Sequence, residues 1–446
     1  MDKQVFKHFV ETNILRLFTG SEIIGEEPSS NRDACVAQGS GGSVLIKFKK
    51  ADDYRFVVKR AIPFKNFELS IIRSIIDERR NLHNSKLASE YNQSIERIII
   101  ERAICKSLTP NYHTMQKLMQ LISNWSQRTY EGHDTTFGFV ISPKRSGEHN
   151  PNLLIENFLS RDFCALLSDG QETFLEISSD GYMQGYLSPP KKVDENLYVP
   201  NQYIKIASLC TGSKIGVCLT PDGDILVLKG KAMQFAKRSG NWVCFSHEVI
   251  IDRLAERTGE SDEVRRAVYL TALDAGFRHC GGCLVHVDSG GRNGVLKHVN
   301  TQDVLKAEYY NTIVEDSKNK SFFAELTGSE NQDISFEDYL KINKESVKAA
   351  SLIKVINGRK FNELDRRLRV ELIGIDGATI IDHDGSIMAV GAIIKIEAGS
   401  TGGGRLAAAK TLSNYGIAIK ISEDGSIQGF RMDRGKLRPK EMFSIG

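Results

Sequence analysis

Near its C-terminal end the chain gathers acids, glycines and one arginine in three short segments. They are Asp376-Gly377-Ala378 in "IDGATI", the run "STGGGRLAAAK" at 400–410, and Ser422-Glu423-Asp424 in "ISEDGSI". Three consecutive glycines cost backbone entropy, so a structural demand should stand behind Gly402, Gly403 and Gly404. The alanines after Arg405 favour a helix. A phosphate could sit where the glycines meet that helix, held by backbone N–H groups and the positive helix end. Arg405 would then clamp phosphate oxygens. The plain alternatives are a turn at Asp376, a flexible glycine link, and solvated hairpin acids at Glu423 and Asp424.

The elements that must position these residues follow from pattern and punctuation. Residues 1–108 predict an N-terminal α/β cap. It holds a strand pair ("SVLIKFKK" and "YRFVVKRAI") and two helices ("NFELSIIRSIIDERRN" and "SIERIIIERAICKSL") with apolar residues at helical spacing. The "GSGGS" at 39–43 precedes a strand and lacks the Lys-Ser/Thr of a P-loop, so it is expected to be a turn. Residues 109–250 then predict a helix ("HTMQKLMQLISNWSQ"), a strand ("TFGFVIS") and two hairpins turned at Asp180-Gly181 and Asp222-Gly223. Residues 251–446 repeat the order: "VRRAVYLTALDAGF", "CLVHV", and hairpins turned at Asp384-Gly385 and Asp424-Gly425. The paired turns are 42 residues apart in the first unit and 40 in the second, which points to a duplicated unit. The second unit has about ninety residues between "CLVHV" and "IDGA", so a helical insertion is expected at about 290–360, containing "AELTGSENQDISFEDY" and "KINKESVKAASLIKVI".

Length and charge narrow the function classes. A chain of 446 residues should form two or three domains. A net charge of +3, from 59 basic and 56 acidic residues, gives no reason to expect a nucleic-acid or membrane-surface binder. "MDKQVFKHFV" lacks a signal-peptide core and no run is long enough to span a bilayer, so a cytoplasmic protein with free thiols is expected. Cys280 and Cys283 form a lone CxxC with His279 and His286 nearby. Because Cys283 and His286 fall on an apparent strand and point to opposite faces, a helix-end glycine turn is expected rather than a metal site.

The three segments, in order and on a loop-to-helix and a strand end, resemble the diadenylate cyclase domain of the DNA-integrity-scanning protein family. That family follows an Asp-Gly-Ala with a Gly-Thr-Arg-His-Arg-Ala-Ala loop-to-helix and a strand ending in Ser-Glu-Glu. The resemblance covers residues 263–435. It implies a mixed β-sheet flanked by helices, here in two tandem units behind the cap. It also implies a nucleotidyltransferase: a 3′-hydroxyl attacks an α-phosphate, pyrophosphate leaves, and alignment and charge neutralisation supply most of the catalysis.

By the same resemblance, Asp376 would be the catalytic carboxylate that holds Mg2+ or Mn2+ and the 3′-hydroxyl, with Glu423 as the second acid. Gly377, Ala378, Thr401, Gly402, Gly403, Gly404, Arg405 and Ser422 would bind nucleotide. The chain departs from the family in reading Arg405-Leu406-Ala407 for Arg-His-Arg, leaving Lys410 or a residue from elsewhere to supply the missing cations. It also has Ile375 where some relatives carry His. In the first unit Glu172 falls at the position of Asp376, and "YIKIASLCTGSK" offers no glycine-arginine loop, so that unit is expected to be degenerate.

The expected product is a linear or cyclic dinucleotide made from nucleoside triphosphates, adenine being the family's base. The expected setting is bacterial signalling or anti-phage defence, with a possible homodimer or a separate effector protein. The alternative is a catalytically inactive nucleotide sensor that reports to a partner protein.

Overall fold

The computed structural model describes residues 1–83, 92–143, 150–255, 262–300, 303–306, 347–396, 403–433 and 435–446. The protein is mixed α/β, with three sheets of four or more strands flanked by helices, and it divides into two compact units. One comprises Met1–His247 with Ile445–Gly446, the other Glu248–Ser444. Among the described residues no helix is long and apolar enough to cross a membrane.

The N-terminal unit opens with an antiparallel sheet of β1 (Glu22–Pro28), β2 (Val36–Gln38), β3 (Val44–Ile46) and β4 (Tyr54–Lys59), in the order β1-β4-β3-β2. The expected strand pair is β3 and β4. The "GSGGS" segment makes a tight turn in which Gly41 and Gly42 have φ of 60° and 77°. Helices Asn66–His83 and Asn92–Leu108 follow where apolar spacing placed them, burying Leu69, Ile72 and Ile76 from the first and Ile99 and Ala103 from the second. After helix Tyr112–Trp125 comes a short ribbon of β5 (Thr129–Tyr130) and β6 (His133–Asp134). A larger sheet then forms from β7 (Phe137–Ser142), β8 (Phe174–Ser178), β9 (Met183–Leu187), β10 (Ile215–Leu219), β11 (Ile225–Lys229), β12 (Ala232–Arg238) and β13 (Asn241–Cys244). One apolar cluster, running from Phe6 to Cys244, joins both sheets of this unit.

The C-terminal unit has one sheet: β14 (Gly282–Val287), β15 (Ala378–Ile381), β16 (Ile387–Ala392), β17 (Gly416–Ile421), β18 (Ile427–Asp433) and β19 (Arg438–Ile445). Its order is β16-β15-β14-β17-β18-β19; the larger N-terminal sheet runs β9-β8-β7-β10-β11-β12-β13. The senses match as well. In each, the first core strand pairs parallel with the next strand in the chain and antiparallel with the third hairpin-forming strand: β7 with β8 and β10, β14 with β15 and β17. All four Asp-Gly turns share one five-residue geometry. The first N–H donates to the fifth carbonyl, as from Ser422 to Ser426, and the glycine N–H donates back to the first carbonyl. Gly181, Gly223, Gly385 and Gly425 take φ of 92°, 78°, 87° and 84°, the left-handed step that closes such a loop.

The ladders fix a residue-by-residue correspondence. The hairpins align Leu219 with Ile421. Leu219 faces Phe137, and Ile421 faces Gly282. Two residues along, Phe139 faces Leu175, and Leu284 faces Thr379. Gly138 therefore matches Cys283, Glu172 matches Asp376, Thr173 matches Gly377, Cys218 matches Lys420 and Pro221 matches Glu423.

Of the expected insertion, the described residues show helices Arg292–Leu296 and Val347–Ile356. The segment "AELTGSENQDISFEDY" and residues 341–346 lie outside the described residues.

Candidate functional site

The C-terminal unit carries a cavity of about 690 Å³ at the sheet edge where β14 and β15 begin and β17 ends. Asp376, Gly377 and Ala378 line it from the start of β15. Gly403, Gly404 and Arg405 line it from the start of helix Gly404–Leu412. Ser422 and Glu423 line it from the end of β17. All the expected site residues that are described thus share one wall-to-wall space. Thr401 and Gly402 lie outside the described residues.

Each part has a local cause. Helix Arg366–Gly374 delivers the chain to Asp376, and it is anchored by a bidentate, fully buried pair: Arg366 donates from Nε (2.9 Å) and Nη2 (2.7 Å) to Asp274 of helix Asp262–Phe277. Gly377 then turns with φ 112°. A Cβ there would stand 2.5 Å from the Gly391 carbonyl carbon and 2.7 Å from the Ala392 oxygen, so only glycine lets β16 come this close. Gly403 takes φ 86° as the residue before the helix, and no side chain caps the helix start. Space is open around both Gly403 and Gly404. The start of that helix thus lines the cavity, and among the described residues no side chain caps its first N–H groups, which are the kind that bind anions.

The charges are arranged unevenly. Arg405 Nη1 donates to Glu423 Oε1 at 2.9 Å, in an exposed pair. The guanidinium lies directly on Gly281, where a Cβ would collide with it, and His279 Nδ1 bonds the Glu423 carbonyl at 2.9 Å. Asp376 is exposed, and no hydrogen bond or ion pair engages its carboxylate among the described residues. Lys420 supplies a second cation to the wall, its Nζ 3.4 Å from Gln428 Oε1. Lys410, weighed from sequence as the replacement cation, is exposed and does not line the cavity. The signal for Lys420 was present in the sequence as the one charged residue in the apolar strand "GIAIKI". Apolar surface comes from Leu406, Ile393, Ile394 and Ile396, of which Ile393 and Ile396 are exposed.

The CxxC behaves as a helix end, with one correction. The left-handed residue is His279 (φ 51°), not a glycine, and Cys280 N donates to the Ala275 carbonyl. Gly281 and Gly282 are instead needed for close approach, to Arg405 and to the Ile373 carbonyl. Cys283 is buried on the cavity floor. Burial pushes its thiol up to about 12, against the opposing pull of Arg405, so it stays protonated at neutral pH.

Among the described residues no group of three His, Cys, Asp or Glu side chains could hold a metal by itself. Asp376 and Glu423 suit a hard cation that arrives with phosphate oxygens, since Mg2+ takes one or two carboxylates and fills its shell with phosphates and water.

The matching edge of the N-terminal unit is filled. The segment Ser168–Thr173 folds over the start of β7, and a Cβ at Gly138 would collide with the Gly170 Cα. Ser168 Oγ accepts from Gly138 N at 3.0 Å and donates to the carbonyls of Gly138 and Thr173. Asp169 accepts the N–H groups of Gln171, Glu172 and Thr173; burial pushes its carboxyl up, but these bonds prevail and hold it below the usual range. Glu172 is ion-paired with Lys205, the second residue of helix Ile204–Leu209.

No protein family, curated protein or solved structure compared with the chain matches it.

Proposed function

We propose that the C-terminal unit binds a nucleoside triphosphate together with Mg2+ or Mn2+, and that the protein joins two such nucleotides with release of pyrophosphate. The observation that carries this reading is the free carboxylate of Asp376, on the same cavity as an open helix N-terminus and Arg405. A bare carboxylate facing phosphates would repel them, so its presence there makes sense with a cation between the two. The helix N–H groups and Arg405 hold phosphate oxygens, Lys420 adds charge, and Ile393, Ile394 and Leu406 offer an apolar bed for a base. The cation neutralises charge on the phosphates. The new bond joins the 3′-oxygen to the α-phosphorus, the hydroxyl O–H bond and the bond to pyrophosphate break, and the proton passes to the Asp376 carboxylate and on to water. Because the N-terminal counterpart is filled, the second nucleotide comes from a second copy of the chain. The likeness in strand order and turns fits duplication of one ancestral unit, with the first copy degenerate. A role in cytoplasmic signalling or anti-phage defence, with a separate effector, rests on the resemblance to diadenylate cyclases alone.

A second reading has its own observation. Arg405 is engaged by Glu423, which withholds both the cation and the second acid. This favours a nucleotide sensor without turnover.

The test is to incubate the protein with each NTP and dNTP plus Mg2+ or Mn2+, and to follow pyrophosphate release and product mass beside Asp376→Ala. Turnover that Asp376→Ala abolishes, with a dinucleotide mass, is the expected result. Metal-dependent binding without turnover selects the sensor. Absence of both overturns the two readings together.

A further inference from the structure

The N-terminal unit holds a separate cavity, larger than the first at about 960 Å³, that neither reading uses. It lies between helices Asn92–Leu108 and Tyr112–Trp125 and the β10–β11 and β12–β13 turns. Its charged lining is Arg16, Arg97, Arg128 and Lys237 against Glu101 and Asp222. Lys237 is already answered: Nζ donates to Ser123 Oγ at 3.0 Å and lies 3.5 Å from Glu101. Burial pushes Glu101 up, and Lys237 opposes that shift.

The three arginines are not answered. Each is exposed, and none has a carboxylate partner among the described residues. Exposed arginines without a carboxylate partner among the described residues occur elsewhere too, as at Arg32, Arg161, Arg367 and Arg438; what sets these three apart is that they line one cavity. Arg16 and Arg128 stand at or just beyond helix C-termini, where a cation is favourable on its own. Arg97 has no such reason, since it lies in the second turn of its helix. Three elements thus bring three unmatched guanidinium groups to one concavity. Guanidinium groups converging on a hollow recognise phosphate oxygens by paired N–H donation.

We infer that this cavity is a binding site for a small, multiply charged phosphate chain, either free or carried by a nucleotide. Arg97 and Arg128 are its main contacts, and it acts independently of the C-terminal cavity and of any metal.

The test is calorimetric titration of the full chain in EDTA, which silences metal-dependent binding elsewhere. The probes are inorganic tripolyphosphate and ATP. Tripolyphosphate is expected to bind, and Arg97→Gln/Arg128→Gln is expected to weaken it at least about tenfold. The Arg97→Lys/Arg128→Lys protein should recover part of the affinity, and unchanged thermal melting of both variants keeps a folding defect from imitating the result. Tighter ATP than tripolyphosphate identifies a nucleotide as the source, and weaker ATP a free polyphosphate. The inference is overturned if the wild-type chain does not bind tripolyphosphate, if the double Gln variant binds it unchanged, or if Arg405→Gln alone removes the binding.

Discussion

The two large sheets share strand order, strand sense and turn geometry, yet one sheet edge is open and the other is plugged. At the open edge, Cys283, Gly377, Lys420 and Glu423 surround a cavity with Asp376 free at its wall. At the plugged edge their counterparts are Gly138, Thr173, Cys218 and Pro221. There the missing side chain of Gly138 lets the Gly170 backbone settle onto the strand, and Cys218 Sγ lies 3.9 Å from the Gly170 carbonyl. The cation on the helix differs in the same sense. Lys205 neutralises Glu172, whereas Arg405 pairs with Glu423 and, among the described residues, no side chain claims Asp376. A scaffold can therefore persist while four or five side chains decide whether it holds a site.

The largest expected effect comes from the buried Asp274–Arg366 pair, which only the open unit uses to aim Asp376. Asp274→Ala takes the carboxylate away from a buried guanidinium and should cost about 3–5 kcal/mol. Both tryptophans, Trp125 and Trp242, belong to the N-terminal unit. Circular dichroism should thus show a lowered transition while the tryptophan fluorescence transition stays in place. A common shift of both signals would mean the units do not unfold separately.

Next is Gly377→Thr, which installs the residue of the plugged unit. The side chain meets the Gly391 and Ala392 backbone at a positive φ, with about 2–3 kcal/mol of strain and clash. Metal-dependent nucleotide binding should fall by about tenfold or more, since each 1.4 kcal/mol is a factor of ten. Conversely, Gly138→Ala should disturb only the plugged unit. Its Cβ collides with the Gly170 backbone, so the fluorescence transition should drop by about 1–3 kcal/mol while nucleotide binding is unchanged.

The smallest effect is a pH dependence confined to the N-terminal unit. His247 is buried and bonds the Met233 carbonyl; burial lowers it from its ordinary 6.5 to about 4, the bond opposing. Between those values the unfolded chain takes a proton that the folded unit refuses. The stability is therefore complete above pH 6.5 and falls as pH drops toward about 4. Urea midpoints by fluorescence at pH 7 and pH 5 should show this loss, and His247→Gln should flatten it.

Much of the frame was legible because its signals are local. An Asp-Gly between alternating apolar runs specifies its own turn, and four such turns outlined both sheets. Apolar runs alone marked β3, β4, β7 and β14, but β12, β13 and β19 were not anticipated. The β12–β13 hairpin turns on Ser239-Gly240, both with φ above 45°, and β19 lies in a charged stretch, "RPKEMFSI". At the site, "GGGRLAAA" and "IDGA" placed Gly404, Arg405 and Asp376 because a helix start and a glycine turn are chain-local features. Lys420 left a trace as the lone charge in "GIAIKI", but its place on the cavity wall and the arginine-lined cavity were not legible, since both depend on which residues distant elements bring together. The plug was equally hidden: it depends on Gly138 of β7 meeting Gly170 of the segment before β8, and no spacing rule marks that encounter.

The most direct measurement follows a fluorescent ATP analogue binding to the full chain, with Mg2+ and with EDTA, in wild type, Asp376→Ala and Glu172→Ala. The Mg2+-dependent part should vanish in Asp376→Ala and persist in Glu172→Ala. Its survival in Asp376→Ala, or its loss in Glu172→Ala, would contradict the assignment of nucleotide chemistry to the open edge.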